Sequence, residues 1–198
     1  MNFLAHLYLT KDLSEEISIG NFIADSVKGK KSYADYPEAV QLGIDIHREI
    51  DQYSDSHPLF RTGTKRLHEP YGKFASIIMD IFYDHILASE WDKYHTVSLN
   101  EFAVQQYVMI EKYHHYLPEF TKYWFSIMKN DNLLYAYASE AGIDDVLKRM
   151  DHRTDFVSGM GNAIHELRTH KENLSIEFEV FFKDMQQNLK EKFAGLWL

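Results

Sequence analysis

The 198-residue sequence contains no cysteine. This excludes disulfides, thiolate metal sites and a cysteine nucleophile, so any metal must be held by His, Asp, Glu or Asn. Glycine (9 residues) and proline (4 residues) are both scarce for this length, which argues against a loop-rich or β-rich fold. The phosphate-binding P-loop, GxGxxG, GxSxG, HExxH and EF-hand motifs are missing too, and many enzyme classes are excluded with them.

Long apolar runs are also missing. No segment approaches the ~18–20 apolar residues of a membrane span, so we expect no membrane contact. The first residues lack the basic stretch of a signal peptide, and a cytoplasmic location is the expectation. The formal net charge of −9 disfavours general nucleic-acid binding, which usually needs a basic surface. The sequence does not indicate an oligomeric state.

Helical periodicity dominates the sequence, and no alternating run is long enough to predict a strand. The length suits one domain with a sizeable core. We therefore predict an all-α, single-domain helical bundle over residues 1–198, with the site-bearing helices mainly within residues 1–92. The predicted helical segments are 2–9, 14–29, 37–55, 59–67, 70–91, 98–115, 119–130, 132–140, 143–151, 155–171 and 175–194.

One predicted helix carries carboxylates in an apolar setting. Residues 76–88 are apolar nearly all round and should be buried, yet the segment contains Asp80, Asp84 and His85. Asp80 and Asp84 are four residues apart and lie on one helix face. Like charges at that spacing repel, and buried carboxylates are normally paired or bound to metal. A divalent cation would both relieve the repulsion and neutralise the buried carboxylates. The alternative is a structural polar network in which the carboxylates are capped or salt-bridged.

Three further apolar segments repeat this spacing. A polar pair at positions i and i+4 recurs four times within the first 85 residues, which favours helices that converge on a polar centre inside a bundle. Taken singly, such pairs are common on helix surfaces. Histidine and carboxylate ligands suit Mn²⁺, Fe²⁺, Mg²⁺ or Zn²⁺, and the many oxygen donors favour Mn²⁺ or Mg²⁺. The pairs are Asn2 with His6, Asn21 with Asp25, His47 with Asp51, and Asp80 with Asp84.

Five short motifs follow one another: Asn2-Phe3-Leu4-Ala5-His6-Leu7, Gly20-Asn21-Phe22-Ile23-Ala24-Asp25, His47-Arg48-Glu49-Ile50-Asp51, Asp55-Ser56-His57-Pro58 and Asp80-Ile81-Phe82-Tyr83-Asp84-His85. In order and spacing they resemble the acyl carrier protein phosphodiesterase family. The resemblance implies removal of 4′-phosphopantetheine from holo acyl carrier protein to give the apo form, with Mn²⁺ expected and Mg²⁺ or Fe²⁺ possible. It also implies a distant similarity to HD-domain metal phosphohydrolases, although the Asp-His order here is the reverse of theirs.

The resemblance further implies a set of site residues. The catalytic candidates are Asp25, Asp84 and His85. The candidate metal ligands are Asp25, His47, Asp51, Asp80, Asp84 and His85. His6 and Asn21 are expected to bind the metal or to hold its ligands, and Arg48 or Lys28 could bind a phosphate oxygen.

An acidic carrier protein would be repelled by an acidic enzyme unless a local basic face steers it. Residues 58–79 offer such a face, since four cations there oppose only Glu69. A merely solvated helix face is the alternative. The expected docking residues are Arg61, Lys65, Arg66 and Lys73.

Two other functions remain open at this point. The same site could cleave a nucleotide or another small phosphoester, because fold and metal do not fix the substrate. Alternatively, the polar pairs could be structural parts of a non-catalytic helical binding protein.

Overall fold

The computed structural model describes residues 2–154 and 157–197. Over these residues the protein is an all-α bundle without a β-strand, which confirms the predicted fold class. No helix in the same ranges is long and apolar enough to cross a membrane. The α-helices are α1 (Phe3–Leu9), α2 (Glu15–Ile23), α3 (Glu38–Ser56), α4 (Pro58–Tyr71), α5 (Ala75–Ser89), α6 (Leu99–Lys112), α7 (Glu119–Asn130), α8 (Leu133–Ala136), α9 (Glu140–Asp151) and α10 (Ile164–Lys192). Short 3-10 turns cover Ala24–Ser26, Lys30–Ser32, Gly72–Phe74, Trp91–Lys93, His114–Tyr116 and Met160–Asn162.

Several helix starts follow from local side-chain chemistry. Ser14 caps α2 by accepting the Ile17 amide hydrogen at 3.4 Å, and Ser98 caps α6 in the same way at 3.3 Å. Pro58 occupies the first position of α4, where a missing N–H has no cost because that amide has no partner within the helix. These starts agree with the sequence-based predictions to within one residue, since α4 was expected to begin at Leu59 and begins at Pro58.

The prediction that Pro70 opens a helix running to Trp91 is wrong. Pro70 lies inside α4, close to its end, and the break comes two residues later at Gly72, whose φ is +52°. A left-handed residue ends a helix readily when it is glycine, which has no Cβ to clash. The buried helix α5 then begins at Ala75 and ends at Ser89.

The C-terminal region also differs from the prediction. Instead of separate helices over 155–171 and 175–194, one continuous helix α10 runs from Ile164 to Lys192. Leu174 falls in the expected gap, but its side chain is buried against the core and the helix passes through without interruption. Asp155 and Phe156, where the first of these helices was expected to start, lie outside the described residues.

Helix α5 is the centre of the bundle and contacts α1, α4, α9 and α10. Its Tyr83 ring packs against Phe60, Phe178 and Phe181, with centroid distances of 5.7, 5.1 and 4.9 Å. Such aromatic contacts bury large apolar areas and fix the helices against one another. Asp84, the next residue on α5, is therefore carried into the interior.

Two glycines bring α2 and α3 into close contact. A Cβ on Gly20 would lie 2.1 Å from the Val40 carbonyl oxygen, and one on Gly43 would lie 2.0 Å from the Ile17 carbonyl oxygen. Both positions thus require the absence of a side chain. Asn21 follows Gly20 directly, and His47 lies about one helical turn after Gly43, so this close approach sets the distance between two polar side chains of the candidate site.

We expect Gly43→Ala to lower the free energy of unfolding by about 3 kcal/mol or more, since the added methyl overlaps backbone that cannot move aside. Urea denaturation followed by circular dichroism measures the change. Gln52→Ala, at an exposed position of the same helix, is the matched control and should alter stability by less than about 0.5 kcal/mol. Equal stabilities for the two variants would contradict the close packing of α2 and α3.

Candidate metal centre

Two buried histidines from different helices stack on each other. His6 of α1 and His47 of α3 are 4% and 6% exposed, and their ring centroids are 4.0 Å apart with an interplanar angle of 22°. Burial of imidazoles is costly unless their nitrogens are satisfied. The partners of the four ring nitrogens therefore decide what this pair can do.

Asn21 of α2 satisfies one nitrogen of each ring. Its Oδ1 lies 3.0 Å from His6 Nδ1 and 3.1 Å from His47 Nδ1, while its Nδ2 donates to the His6 carbonyl at 2.7 Å. An amide oxygen only accepts, so both Nδ1 atoms carry hydrogen and donate. The lone pair of each neutral ring is then at Nε2, the arrangement that orients histidine for metal binding.

The two Nε2 atoms face carboxylates. His6 Nε2 lies 3.2 Å from Asp51 Oδ1, and His47 Nε2 lies 3.1 Å from Asp51 Oδ2. His47 Nε2 also lies 3.2 Å from Asp25 Oδ1. One donor atom from each of His6, His47 and Asp51 falls within 4.8 Å of the others. We refer to these three residues as the His/Asp triad; it is a candidate metal site of the nitrogen and oxygen type.

The two histidines differ in charge. Burial, together with the neighbouring His47, lowers the pKa of His6 to about 4, so His6 is neutral at pH 7. Burial also opposes a charge on His47, but hydrogen bonds to Asp25 and Asp51 outweigh it and raise the pKa of His47 to about 9. At neutral pH His47 therefore carries an extra proton, and its positive charge lies between the carboxylates of Asp25 and Asp51. A divalent cation would displace this proton on binding.

Both carboxylates of this region are ionised at neutral pH. The hydrogen bond to His47 lowers the pKa of Asp25, even though partial burial opposes it. For Asp51, burial again opposes ionisation, but the hydrogen bond from the protonated His47 outweighs it and lowers the pKa strongly. The Asp25 side chain is 73% exposed, so it is the member of the group that solvent or a substrate reaches most easily.

Asp84 of α5 is fully buried next to the N-terminus of α1 and lies outside the triad. Its Oδ2 accepts the Leu4 amide hydrogen at 2.8 Å, and its Oδ1 accepts those of Ala5 and Asn2, both at 3.3 Å. A helix N-terminus has unpaired amides and favours negative charge. Burial nevertheless raises the pKa of Asp84 to about 7, against the effect of these amides. These contacts favour an anchoring role, in which Asp84 holds the helix that carries His6.

His85 and Asp80 also lie outside the triad. His85 Nδ1 donates to the Tyr137 carbonyl at 2.8 Å, and its Nε2 has no hydrogen-bond partner among the described residues. Burial raises the pKa of the Asp80 carboxyl, and the charge of Asp51 adds to this effect. Direct metal binding by Asp80, Asp84 and His85 stays a prediction.

The two cations proposed for phosphate binding have different surroundings. Arg48 donates to the Tyr33 hydroxyl at 2.7 Å and to the Val27 carbonyl at 3.2 Å, so its guanidinium ties the loop after α2 to α3. Lys28 is exposed and forms no ion pair with another described residue. Of the two, Lys28 is the one that a phosphate could recruit without breaking a contact.

The expected docking cations divide in the same way. Arg66 forms a bidentate ion pair with Glu177 of α10, in which Nη1 lies 3.0 Å from Oε2. Lys73 lies over the Phe74 ring at 5.2 Å. Arg61 and Lys65 are exposed, pair with no carboxylate in the described ranges, and line a groove that also includes Asp55 of α3. A basic face is therefore present on α4, with Arg61 and Lys65 as its accessible charges.

The sequence analysis expected His6 either to bind the metal or to hold its ligands. The structure places its Nε2 in the triad, while Asp84 and His85 lie apart from the triad. The signal was present in the sequence as the Asn2 and His6 spacing. Periodicity could not rank that pair against the others, because only the packing of α1 on α2 and α3 shows which rings meet.

Comparison with known proteins gives a consistent result. A family model described as acyl carrier protein phosphodiesterase matches residues 1–185. A protein of that name from Photorhabdus laumondii is 33% identical over 193 residues, covering 97% of this chain and 96% of its own length. Relatives of the same name from Yersinia enterocolitica and Escherichia coli are 28% and 27% identical, each over 97% of this chain and 99% of the relative. No solved structure matches the chain.

We expect Asp84→Ala to lower the free energy of unfolding by roughly 2–3 kcal/mol, because the buried amides of Leu4 and Ala5 in α1, and that of Asn2 just before it, lose their acceptor. Urea denaturation measures this loss. Asp12→Ala, which removes an exposed carboxylate beside Lys11, is the control and should change stability by under about 1 kcal/mol. An Asp84→Ala protein as stable as the control would rule out the anchoring of α1.

Proposed function

The chain belongs to the acyl carrier protein phosphodiesterase family, and on that basis we propose that it hydrolyses the phosphodiester joining 4′-phosphopantetheine to holo acyl carrier protein. The products are apo carrier protein and 4′-phosphopantetheine. Similarity to relatives of that name over almost their whole length supports this proposal. The substrate requires a site that activates water and neutralises phosphate charge, and the residues around the triad fit both needs.

The observation that carries the proposal is the shared Asn21 acceptor, which turns both Nε2 atoms towards Asp51. Two neutral imidazoles and a carboxylate are a suitable donor set for a divalent metal. We propose Mn²⁺ as the metal, with Mg²⁺ or Fe²⁺ as alternatives, because Asp51 and the adjacent Asp25 offer oxygen donors. We keep Asp80 as a further candidate oxygen donor. A bound divalent metal lowers the pKa of a water molecule and polarises a phosphoryl oxygen.

The protein side chains have separable tasks in this reaction. Asp25, ionised and exposed beside His47, is placed to accept a proton from the attacking water. Asn21 keeps the hydrogens on Nδ1, so that both Nε2 atoms can bind a metal once the extra proton of His47 is displaced. Lys28 is the free cation nearest in sequence to Asp25 and could neutralise charge on the phosphate oxygens. Asp84 and His85 then act as positioning residues, since they hold α1 and the Tyr137 backbone.

Docking of the carrier protein is the second part of the proposal. The groove lined by Arg61, Lys65 and Asp55 lies at the end of α3 that follows Asp51. An acidic partner is attracted to these two unpaired cations despite the overall charge of −9, because local potentials steer encounters more than net charge does. Docking there would place the modified serine of the carrier next to the triad.

We expect His47→Ala and Asp51→Asn to reduce the Mn²⁺-dependent conversion of holo to apo carrier protein by more than about 100-fold. Asn21→Leu should reduce the same conversion by about 10–100-fold, as is usual for the loss of a group that orients a metal ligand. Mass spectrometry of the carrier measures conversion, and calorimetric titration of Mn²⁺ measures metal binding. His170→Ala is the matched control, since His170 forms an i, i+4 pair with Glu166 on the surface of α10.

Unchanged conversion by His47→Ala would reject the triad as the metal site. Cleavage of simple phosphodiesters without cleavage of holo carrier protein would instead support the small-phosphoester alternative. A protein that binds no divalent metal and cleaves neither substrate would be a helical binding protein.

We expect the Arg61→Glu and Lys65→Glu double variant to raise KM for holo carrier protein by about tenfold at low salt, with a smaller effect on kcat, because steering is lost. The difference from wild type should shrink at high ionic strength, where exposed charges are screened. Steady-state kinetics at two salt concentrations measure both effects. Lys190→Glu and Lys183→Glu, on α10, form a control variant of equal charge change. An equal KM increase in that control would show that net charge, not the α4 face, controls the encounter.

A further inference from the structure

A cavity of about 280 Å³ adjoins the candidate metal centre. Asn2, Phe3, Phe22 and Asp25 line this cavity, and the same four residues line the small recess in front of His6 and His47. The cavity and the triad are therefore neighbours with a shared wall. From that wall the cavity extends beneath α7 towards α8 and α9.

The cavity has an open rim and an apolar floor. At the rim, Phe120 is 67% exposed, whereas Met128 and Tyr137 at the floor are buried. Most of the lining is aromatic or aliphatic. A folded protein surface cannot enter such a space, but a thin, flexible and mostly apolar chain can, as is usual for sites that bind small molecules and cofactors.

Polar and charged side chains interrupt this apolar lining at several positions, and two of them have unused hydrogen-bonding capacity. The Thr121 hydroxyl donates to Ser26 Oγ at 2.7 Å, which leaves the Ser26 hydroxyl hydrogen available for an acceptor in the cavity. Arg153 stacks on Trp124, with its guanidinium carbon 3.1 Å from the ring centroid, and pairs with no carboxylate in the described ranges. By contrast, the nearby Arg149 is held by Asp131 and Asp145. The occupant should thus offer one or two carbonyl oxygens on an otherwise apolar chain.

We propose that this cavity binds the pantetheine portion of the substrate arm, and the inference rests on the function proposed above. Pantetheine is a linear chain with two amide carbonyls, a dimethyl-substituted carbon and a terminal thiol, so it matches the shape and the polar groups of the lining. The phosphate then lies at the triad, with the carrier on the Asp55 side and the arm on the Asp25 side. The two ester substituents of the phosphodiester are thereby placed on opposite sides of the cleavage site.

The test uses the full chain and changes the cavity from two positions of α7. Ile127→Trp adds volume from a partly buried position, and Trp124→Ala removes an aromatic wall. Each should raise KM for holo carrier protein about tenfold, with a smaller change in kcat, and should weaken binding of free pantetheine about tenfold in calorimetric titrations. Tyr123→Trp is the matched control on the same helix, because Tyr123 is 65% exposed and lies outside the cavity lining.

Pantetheine binding separates this inference from the proposed function. If wild type cleaves holo carrier protein but pantetheine does not bind, and both variants keep the wild-type KM, the cavity assignment is overturned and the function stands. If pantetheine binds wild type and not the variants while holo carrier protein is never cleaved, the cavity assignment holds and the function fails. Circular dichroism melting checks folding; should Ile127→Trp not fold, Trp124→Ala, which adds no volume, decides the result.

Discussion

The hydrogen bonds from two histidine rings to one asparagine oxygen organise the candidate site. Asn21 Oδ1 accepts from Nδ1 of both His6 and His47 at 3.0 and 3.1 Å. Because that oxygen cannot donate, both rings are fixed in one tautomer and in one orientation. The direction of both Nε2 atoms, their contact with Asp51 and the stacking of the rings all follow from this single acceptor.

The rest of the fold maintains that arrangement. Gly20 and Gly43 allow α2 and α3 to approach until a Cβ at either position would overlap backbone, and this sets the distance from Asn21 to His47. Asp84 of the central helix α5 holds the amides of α1 and so positions His6. A buried carboxylate of the central helix is thus bound to backbone amides and orients the short helix that carries His6.

Local sequence signals were reliable where local chemistry decides the structure. Ser14 and Ser98 predicted helix starts, because a capping hydroxyl acts on amides two or three residues away. The prediction of a helix start at Pro70 was wrong, because a proline near a helix end can be accommodated, while Gly72, with its positive φ, provides the break. The expected gap near Leu174 disappeared for another reason: burial of that side chain against the core keeps α10 continuous, and burial is decided by distant residues.

The sequence by itself determined the helical fold class, the absence of thiolate chemistry and the polar pairs from which a site could be built. These follow from composition and from the 3.6-residue period, both of which are local properties. Only the tertiary structure decided which pairs meet: His6, His47 and Asp51 form the triad, while Asp84 binds backbone amides. The cavity beneath α7 was likewise invisible in sequence, since aromatic residues at helical spacing look the same in a filled core and in a cavity wall. The physical reason is that contacts between α1, α2, α3 and α5 join residues up to 80 positions apart, and no local pattern encodes such distances.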